Sequence, residues 1–127
     1  MNYSYDRYWG LFYMGSSLNG ELSTSKIVGV GYSGHEEVLN NPVYDYLKGI
    51  GCIPVGRYTL DGPYTDPEKG PVVFKLIPAP SNNMMGRSGF MLHGDTTPAV
   101  HDASDGCIAS PLWTRSIFKN EDILDVI

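Results

Sequence analysis

The sequence predicts one mainly β domain, with about seven strands and two short helices in a β-sandwich or a barrel. Fifteen Gly and nine Pro are scattered over the 127 residues without a regular period, which indicates many turns. Nine Tyr suit the half-buried faces of pleated strands. Apolar residues make up 42% and charged residues 18%, which favours a folded protein over a disordered one. A chain of this length holds one hydrophobic core, so residues 1–127 form a single predicted domain.

Extended segments and turn signals alternate along the N-terminal part. Residues 8–13 are mostly aromatic and predict the first strand. Asn19-Gly20 is a strong signal for a two-residue hairpin, so residues 21–26 are expected to pair back on that strand. Residues 27–32 predict a third extended run.

The two short helices are predicted from capping residues. Asn41 suits an N-cap, Pro42 the first helical position and Gly49 the end of a helix, with a turn as the alternative. Ser110 is the expected N-cap of the second helix, which should end near Lys119.

Strands fill most of the remaining chain. Residues 61–71 are rich in Gly, Pro and Asp and predict a loop, and residues 78–88 predict a second one. The predicted strands are residues 57–60, 72–77, 89–93, 106–109 and 122–127.

Charge and hydropathy exclude several classes of partner. The net charge is −5 and the nine basic residues are dispersed, so we expect no binding to DNA or RNA. No apolar run approaches the ~18 residues of a membrane span, so no membrane partner is expected. Residues 1–7 lack the basic and apolar regions of a signal peptide. We therefore expect synthesis in the cytoplasm, without export by the usual signal-peptide route.

A histidine at the end of one predicted strand and a cysteine at the start of the next form a candidate catalytic pair. A thiol nucleophile needs a base within hydrogen-bond reach, and His93 and Cys107 can meet if their strands are neighbours. The Gly94 carbonyl can orient His93, and the N–H groups of Gly106 and Cys107 can face an oxyanion. The alternative is that Cys107 is a buried small apolar residue and His93 a structural histidine. Cytoplasmic synthesis favours free thiols over a disulfide with the second cysteine, Cys52.

Six segments in a fixed order make the sequence resemble the YkuD-type L,D-transpeptidases, and more closely the small L,D-transpeptidase-like effectors of the bacterial type VI secretion system. The resemblance spans residues 10–127. The segments are Gly31-Tyr32-Ser33-Gly34, Asn40-Asn41-Pro42, Ile53-Pro54-x-Gly56-Arg57-Tyr58, Gly86-Arg87-Ser88-Gly89-Phe90, Leu92-His93-Gly94 and Ser104-Asp105-Gly106-Cys107-Ile108.

This resemblance implies an L,D-transpeptidase-like β fold and a cysteine enzyme acting on peptidoglycan stem peptides, without a cofactor or a metal. The nucleophile would be Cys107, the base His93 and the orienting carbonyl that of Gly94, with Gly106 and Cys107 supplying the oxyanion hole. The thiolate would attack the carbonyl of the third stem residue and release the terminal D-alanine. Water would then complete an L,D-carboxypeptidase reaction, and an amine would complete an exchange.

The chain departs from the broader family at two positions. Asp105 stands where His usually precedes the Gly-Cys pair, and Ala109 stands where an Arg often follows the nucleophile. The usual partner of the substrate carboxylate is therefore missing, and Arg87 is the predicted substitute, with Ser104 and Asp105 as further substrate-binding residues. Of the other arginines, Arg115 is expected to face solvent.

Other interpretations of the site remain open at this stage. Cys52 can be a passive residue or the nucleophile of a papain-like wall amidase, although it does not open a predicted helix. His101 can replace His93 as the base, and the domain can be an inactive peptidoglycan-binding module. A metal site is a further alternative, although no paired spacing supports it. Its ligands would come from His35, His93, Asp95, His101, Asp102 and Cys107.

A wall enzyme without a signal peptide implies another delivery route. The expectation is a type VI secretion antibacterial effector that is carried into the periplasm of a target cell. Its partners would be a secretion-system carrier and an immunity protein that blocks the site. A phage or housekeeping role is the alternative.

Overall fold

The computed structural model describes residues 1–15, 26–35, 38–94 and 106–127. Nine strands form one sheet in this part of the chain, so the prediction of a mainly β fold is confirmed. A 3-10 helix, Pro42–Tyr44, and an α-helix, α1 (Leu112–Arg115), are both short. The strands are β1 (Asn2–Asp6), β2 (Leu11–Met14), β3 (Ile27–Val30), β4 (Tyr32–Ser33), β5 (Gly56–Asp66), β6 (Gly70–Pro78), β7 (Met91–His93), β8 (Ile108–Ala109) and β9 (Ile123–Val126).

The strand order is β3-β2-β1-β9-β5-β6-β7-β8-β4. Strands β1 and β9 pair in parallel, as do β7 and β8, and the other neighbours are antiparallel. The two outer strands, β3 and β4, are separated in the chain by Gly31 alone. A Cβ at Gly31 would lie 2.8 Å from the Ala109 carbonyl oxygen, so glycine permits the close approach at this bend. One continuous segment thus joins the two ends of the sheet, which matches the barrel alternative.

The hydrophobic core combines aromatic and aliphatic side chains. The Tyr3 and Phe118 rings meet edge to face at 4.9 Å, and the Tyr5 and Phe12 centroids are 4.7 Å apart. Leu92 of β7 and Ile108 of β8 are fully buried members of this core. The ends of β7 and β8 therefore rest on packed side chains.

The N-terminal region contains a strand that the sequence did not predict. The strand expected at residues 8–13 begins at Leu11, and β1 precedes it. The Asp6 carboxylate accepts hydrogen bonds from the backbone N–H groups of Tyr8 and Trp9, at 2.8 and 3.1 Å, and this turn ends β1. The predicted hairpin at Asn19-Gly20 lies outside the described residues.

The prediction of a loop at residues 61–71 was wrong. Strands β5 and β6 pair antiparallel through most of it, and the register shifts between Asp61 and Tyr64. This bulge accommodates Gly62 and Pro63, the residues that had indicated a loop. At the tip, the Asp66 carboxylate accepts the N–H groups of Glu68 and Lys69, each at 2.9 Å. The other predicted strands in this half, near residues 57–60, 72–77, 89–93, 106–109 and 122–127, are present.

Both helices are shorter than predicted. The N-cap at Asn41 is confirmed, since its side chain accepts the Val43 N–H at 3.2 Å. The second helix is capped by Pro111, without a side-chain hydrogen bond, so the prediction of Ser110 as N-cap was wrong. No helix in the described part of the chain combines the length and the apolar character needed to cross a membrane.

The prediction that Arg115 faces solvent was also wrong. Arg115 is buried, and its guanidinium donates to the carbonyl oxygens of Ser110 at 3.1 Å, Pro71 at 2.7 Å and Val72 at 3.1 Å. These bonds join α1 to the start of β6, and burial lowers the pKa of the guanidinium.

Candidate active site

The parallel pairing of β7 with β8 brings the predicted nucleophile against the strand that carries the predicted base. Leu92 lies opposite Ile108 and His93 opposite Ala109. Cys107 immediately precedes β8, and its Sγ lies 3.3 Å from the Met91 backbone nitrogen, which donates to it. The half-buried Cys107 thiol and the end of β7 therefore share one region of the sheet.

His93 is fully buried and its ring is oriented by its neighbour. Its Nδ1 lies 2.7 Å from the carbonyl oxygen of Gly94. Because a carbonyl only accepts, Nδ1 carries the proton, and the lone pair of the neutral imidazole is on Nε2. The contact expected between His93 and Gly94 is thus present, and it directs Nδ1 to the carbonyl, so that Nε2 is the nitrogen that can accept a proton in the neutral ring.

The segment behind His93 is fixed by α1. The backbone N–H of Ser110 donates to the His93 carbonyl oxygen at 2.9 Å, and Arg115 binds the Ser110 carbonyl. A Cβ at Gly94 would lie 2.9 Å from a guanidinium nitrogen of Arg115. A larger residue at position 94 would therefore displace either Arg115 or the carbonyl that orients His93.

The turn before the nucleophile requires glycine on two grounds. Gly106 has a φ of +121°, and an added Cβ would clash with the Arg87 guanidinium and lie 2.9 Å from the Phe90 ring. Its carbonyl oxygen accepts the Ser33 hydroxyl at 2.9 Å. Since the C=O and N–H of a trans peptide point in opposite directions, the Cys107 N–H is directed away from Ser33. The oxyanion function of Gly106 and Cys107 stays a prediction.

The surroundings of Arg87 differ from the sequence-based expectation. Arg87 is 6% exposed and donates to the carbonyl oxygens of Gly51 at 2.8 Å and Cys52 at 2.7 Å, and also to that of Asp45. Its guanidinium stacks 5.0 Å from the Phe90 ring centroid. Burial lowers the pKa of Arg87. These contacts favour a structural function for Arg87 over the predicted binding of a substrate carboxylate.

A pocket of about 480 Å³ opens beside Cys107. One wall is the 86–91 segment, and Lys48, Gly49 and Lys69 complete the lining. Three lining residues are cationic, and no Asp or Glu is among the described residues that line it. Lys48 and Lys69 were not predicted from the sequence, because Lys48 lies in a loop and Lys69 in a hairpin that had been predicted as a loop.

The β5–β6 hairpin brings a tyrosine close to the same pocket. The Tyr64 hydroxyl donates to the Met91 sulfur at 3.3 Å. Burial raises the pKa of Tyr64, and the charges of Asp66, Asp61 and Cys107 add to the shift. Tyr64 thus contacts the residue whose backbone N–H binds the Cys107 sulfur.

Cys52 has the properties of a passive thiol. Cys52 is fully buried and is a free cysteine, and burial raises the pKa of its thiol. Its Sγ lies 3.6 Å from the Asn41 carbonyl oxygen, within a loop. This environment argues against the papain-like alternative, which needs an accessible thiolate.

Several candidates from the sequence fall outside the described residues: Asp95, His101, Asp102, Ser104 and Asp105. Their predicted functions stay predictions. His35 is described, and its backbone N–H donates to the Ile50 carbonyl oxygen at 2.6 Å. Within the described ranges, no three His, Cys, Asp or Glu residues are grouped to hold a metal ion.

The fold and the site define a β protein with a thiol and a carbonyl-oriented imidazole on neighbouring parallel strands, beside a cationic pocket. The family model of the Tlde1 domain matches residues 28–116, from β3 through α1. The chain belongs to the Tlde1 domain family, type VI secretion effectors of the L,D-transpeptidase kind. This membership implies secretion and an activity related to peptidoglycan. Neither a curated protein nor a solved structure gives a significant match to the chain.

Proposed function

We propose that this chain is a cysteine enzyme that removes the terminal D-alanine from peptidoglycan stem tetrapeptides, exchanges it for another D-amino acid, or does both. The observation that carries the proposal is the β7–β8 pairing, with Cys107 Sγ 3.3 Å from the Met91 nitrogen and His93 Nδ1 2.7 Å from the Gly94 oxygen. Membership of the Tlde1 domain family supports the choice of peptidoglycan as substrate.

In the proposed acylation step, His93 Nε2 takes the proton of the Cys107 thiol. The sulfur attacks the carbonyl carbon of the third stem residue, and the oxyanion faces the N–H groups of Gly106 and Cys107. The C–N bond to D-alanine then breaks, and the imidazolium returns the proton to the leaving amine. The products are free D-alanine and a thioester on Cys107.

In the proposed second step, water or the amine of a D-amino acid attacks the thioester. His93 removes a proton from the attacking group and returns it to the departing sulfur. Water gives the tripeptide, and an amine gives the exchanged tetrapeptide. The enzyme regains its thiol in both cases.

The surroundings of the sulfur favour the thiolate that this chemistry needs. The Met91 N–H donates to Sγ, and hydrogen bonds to a charged form stabilise that form. Arg87 is a positioning residue in this proposal, because it binds the carbonyl oxygens of Gly51 and Cys52 and packs on the Phe90 ring in the wall beside Cys107.

The experiment is an assay of D-alanine release from purified stem tetrapeptide, followed by mass spectrometry of the products. The wild-type chain should yield the tripeptide, and added D-methionine should yield an exchanged tetrapeptide. Cys52→Ala is the matched control and should retain turnover. Binding of the peptide without turnover would instead indicate the inactive wall-binding module.

We also propose that the enzyme acts in the periplasm of a target cell after type VI delivery, and that an immunity protein blocks its pocket. The family supports secretion, and peptidoglycan lies outside the cytoplasm. A secretion-system carrier and the immunity protein are the proposed protein partners.

A further inference from the structure

Two lysines from separate parts of the chain line the pocket beside Cys107. Lys48 follows the 3-10 helix, and Lys69 lies in the turn between β5 and β6. We propose that Lys48 and Lys69 form a clamp for the free carboxylate of the peptide's leaving residue. This inference rests on the proposed function and names the carboxylate partner that the sequence lacks at Ala109.

A backbone hydrogen bond at Lys69 and the position of the Lys48 side chain place both lysines in the pocket lining. The Lys69 N–H is fixed by the Asp66 carboxylate at 2.9 Å. The Lys48 Cε and Nζ atoms lie 3.6 Å from the point where a Cβ on Gly86 would stand, so this side chain extends over the 84–87 turn. The lysines therefore approach the 86–91 wall from two elements that are distant in sequence.

The lysine charges are available to a ligand. Neither ammonium group is in an ion pair with any residue of the described ranges, where the ion pairs are Met1–Asp122, Arg7–Asp45 and Arg57–Asp125. The Asp66 carboxylate, in the same turn, accepts the backbone N–H groups of Glu68 and Lys69 and forms no ion pair with the Lys69 ammonium group.

Arg87, the third cation of the lining, is already engaged by backbone carbonyls. The leaving residue is joined directly to the scissile carbonyl, so its carboxylate lies within about one residue length, ~3.5 Å, of the reacting centre. Its partner must line the same pocket as Cys107, which both lysines do. An ammonium group binds a carboxylate as a point charge without fixed direction. The clamp should therefore accept different D-amino acids, provided that the carboxylate is free.

The test compares a tetrapeptide with a free C-terminal carboxylate and the same peptide as a C-terminal amide. The variants are Lys48→Met, Lys69→Met and the double variant. Lys119→Met is the matched control, because Lys119 is exposed and does not line the pocket. Each single change should lower kcat/KM for the carboxylate about five-fold, within the range of one charge-assisted hydrogen bond at a solvated site. The double change should lower it by roughly twenty-five-fold, the product of two independent five-fold losses.

The amide substrate distinguishes the clamp from a structural effect. All three variants should change kcat/KM for the amide less than two-fold, and the Lys48→Arg/Lys69→Arg variant should retain the preference for the carboxylate. Equal losses on both peptides, or no loss on either, would overturn the clamp.

A binding measurement separates failure of the clamp from failure of the proposed function. In a Cys107→Ala background, the Kd for the carboxylate peptide should rise by the same factors, whereas the Kd for the amide should not. If the wild-type chain shows no turnover but the Kd for the carboxylate peptide still rises in the lysine variants, the proposed reaction is refuted and the clamp is retained. If the wild-type chain turns over the peptide but the Kd is the same in the lysine variants, the clamp is refuted and the reaction is retained.

Discussion

Replacing Arg87 by Met tests whether this buried cation supports the fold or binds substrate. The change removes the donor from the carbonyl oxygens of Asp45, Gly51 and Cys52. Each buried acceptor left without its partner costs about 1–3 kcal/mol. Because residues 46 and 48–50 of the same loop are exposed, water can reach part of it, and the lower end of the range applies. We expect the free energy of unfolding to fall by about 3 kcal/mol.

Thermal unfolding and steady-state kinetics measure the two consequences. A loss of about 3 kcal/mol should lower Tm by roughly 10 °C in a domain of this size. Per folded molecule, kcat/KM should fall by the same factor for the carboxylate peptide and for its amide. Arg87→Lys should lie between wild type and Arg87→Met, since Lys keeps the charge but lacks the planar fork. An unchanged Tm with a loss confined to the carboxylate peptide would refute this reasoning and restore the prediction made from the sequence.

Three further predictions concern the histidine, the second thiol and the compartment. Gly94→Ala should lower kcat/KM about ten-fold by displacing the carbonyl that orients His93. Gly15→Ala, which strains the backbone at a φ of +103° but has nothing within 4 Å of the added methyl, should lower Tm and leave kcat/KM per folded molecule unchanged; equal kinetics for both variants would contradict this. In the native protein, iodoacetamide at pH 8 should modify Cys107 and not Cys52, because Cys52 is buried and the pKa of its thiol is raised. Peptide mass spectrometry identifies the modified cysteine, and modification of Cys52 before Cys107 would contradict its passive role. Expression in a bacterium should be toxic when a signal peptide directs the chain to the periplasm and harmless without one, and equal toxicity would contradict a wall target.

Local features made much of the candidate site predictable. His93, Gly94, Gly106 and Cys107 lie at the ends of two short strands, so their chemistry and their proximity follow from segments near each other in the chain. The glycine at position 106 is itself a turn signal in the sequence, and its φ of +121° is one that residues with a side chain rarely adopt.

The features that could not be predicted from the sequence depend on distant parts of the chain. Arg87 and Arg115 are buried because carbonyl oxygens from other loops surround them, and no sequence pattern near either arginine shows this. Lys48 and Lys69 reach the pocket from elements that only the tertiary fold brings together. The β5–β6 hairpin was missed because a bulge accommodates the Gly62-Pro63 pair that normally indicates a loop.

The most direct test of the central claim is intact-protein mass spectrometry during turnover of stem tetrapeptide. We predict a covalent adduct with the mass of the tripeptide acyl group, attached at Cys107, together with release of one D-alanine per adduct. In Cys107→Ala, the adduct should disappear and turnover should fall at least a hundred-fold while Tm stays unchanged. An adduct on Cys52, or turnover by folded Cys107→Ala above about a hundredth of the wild-type rate, would contradict the account.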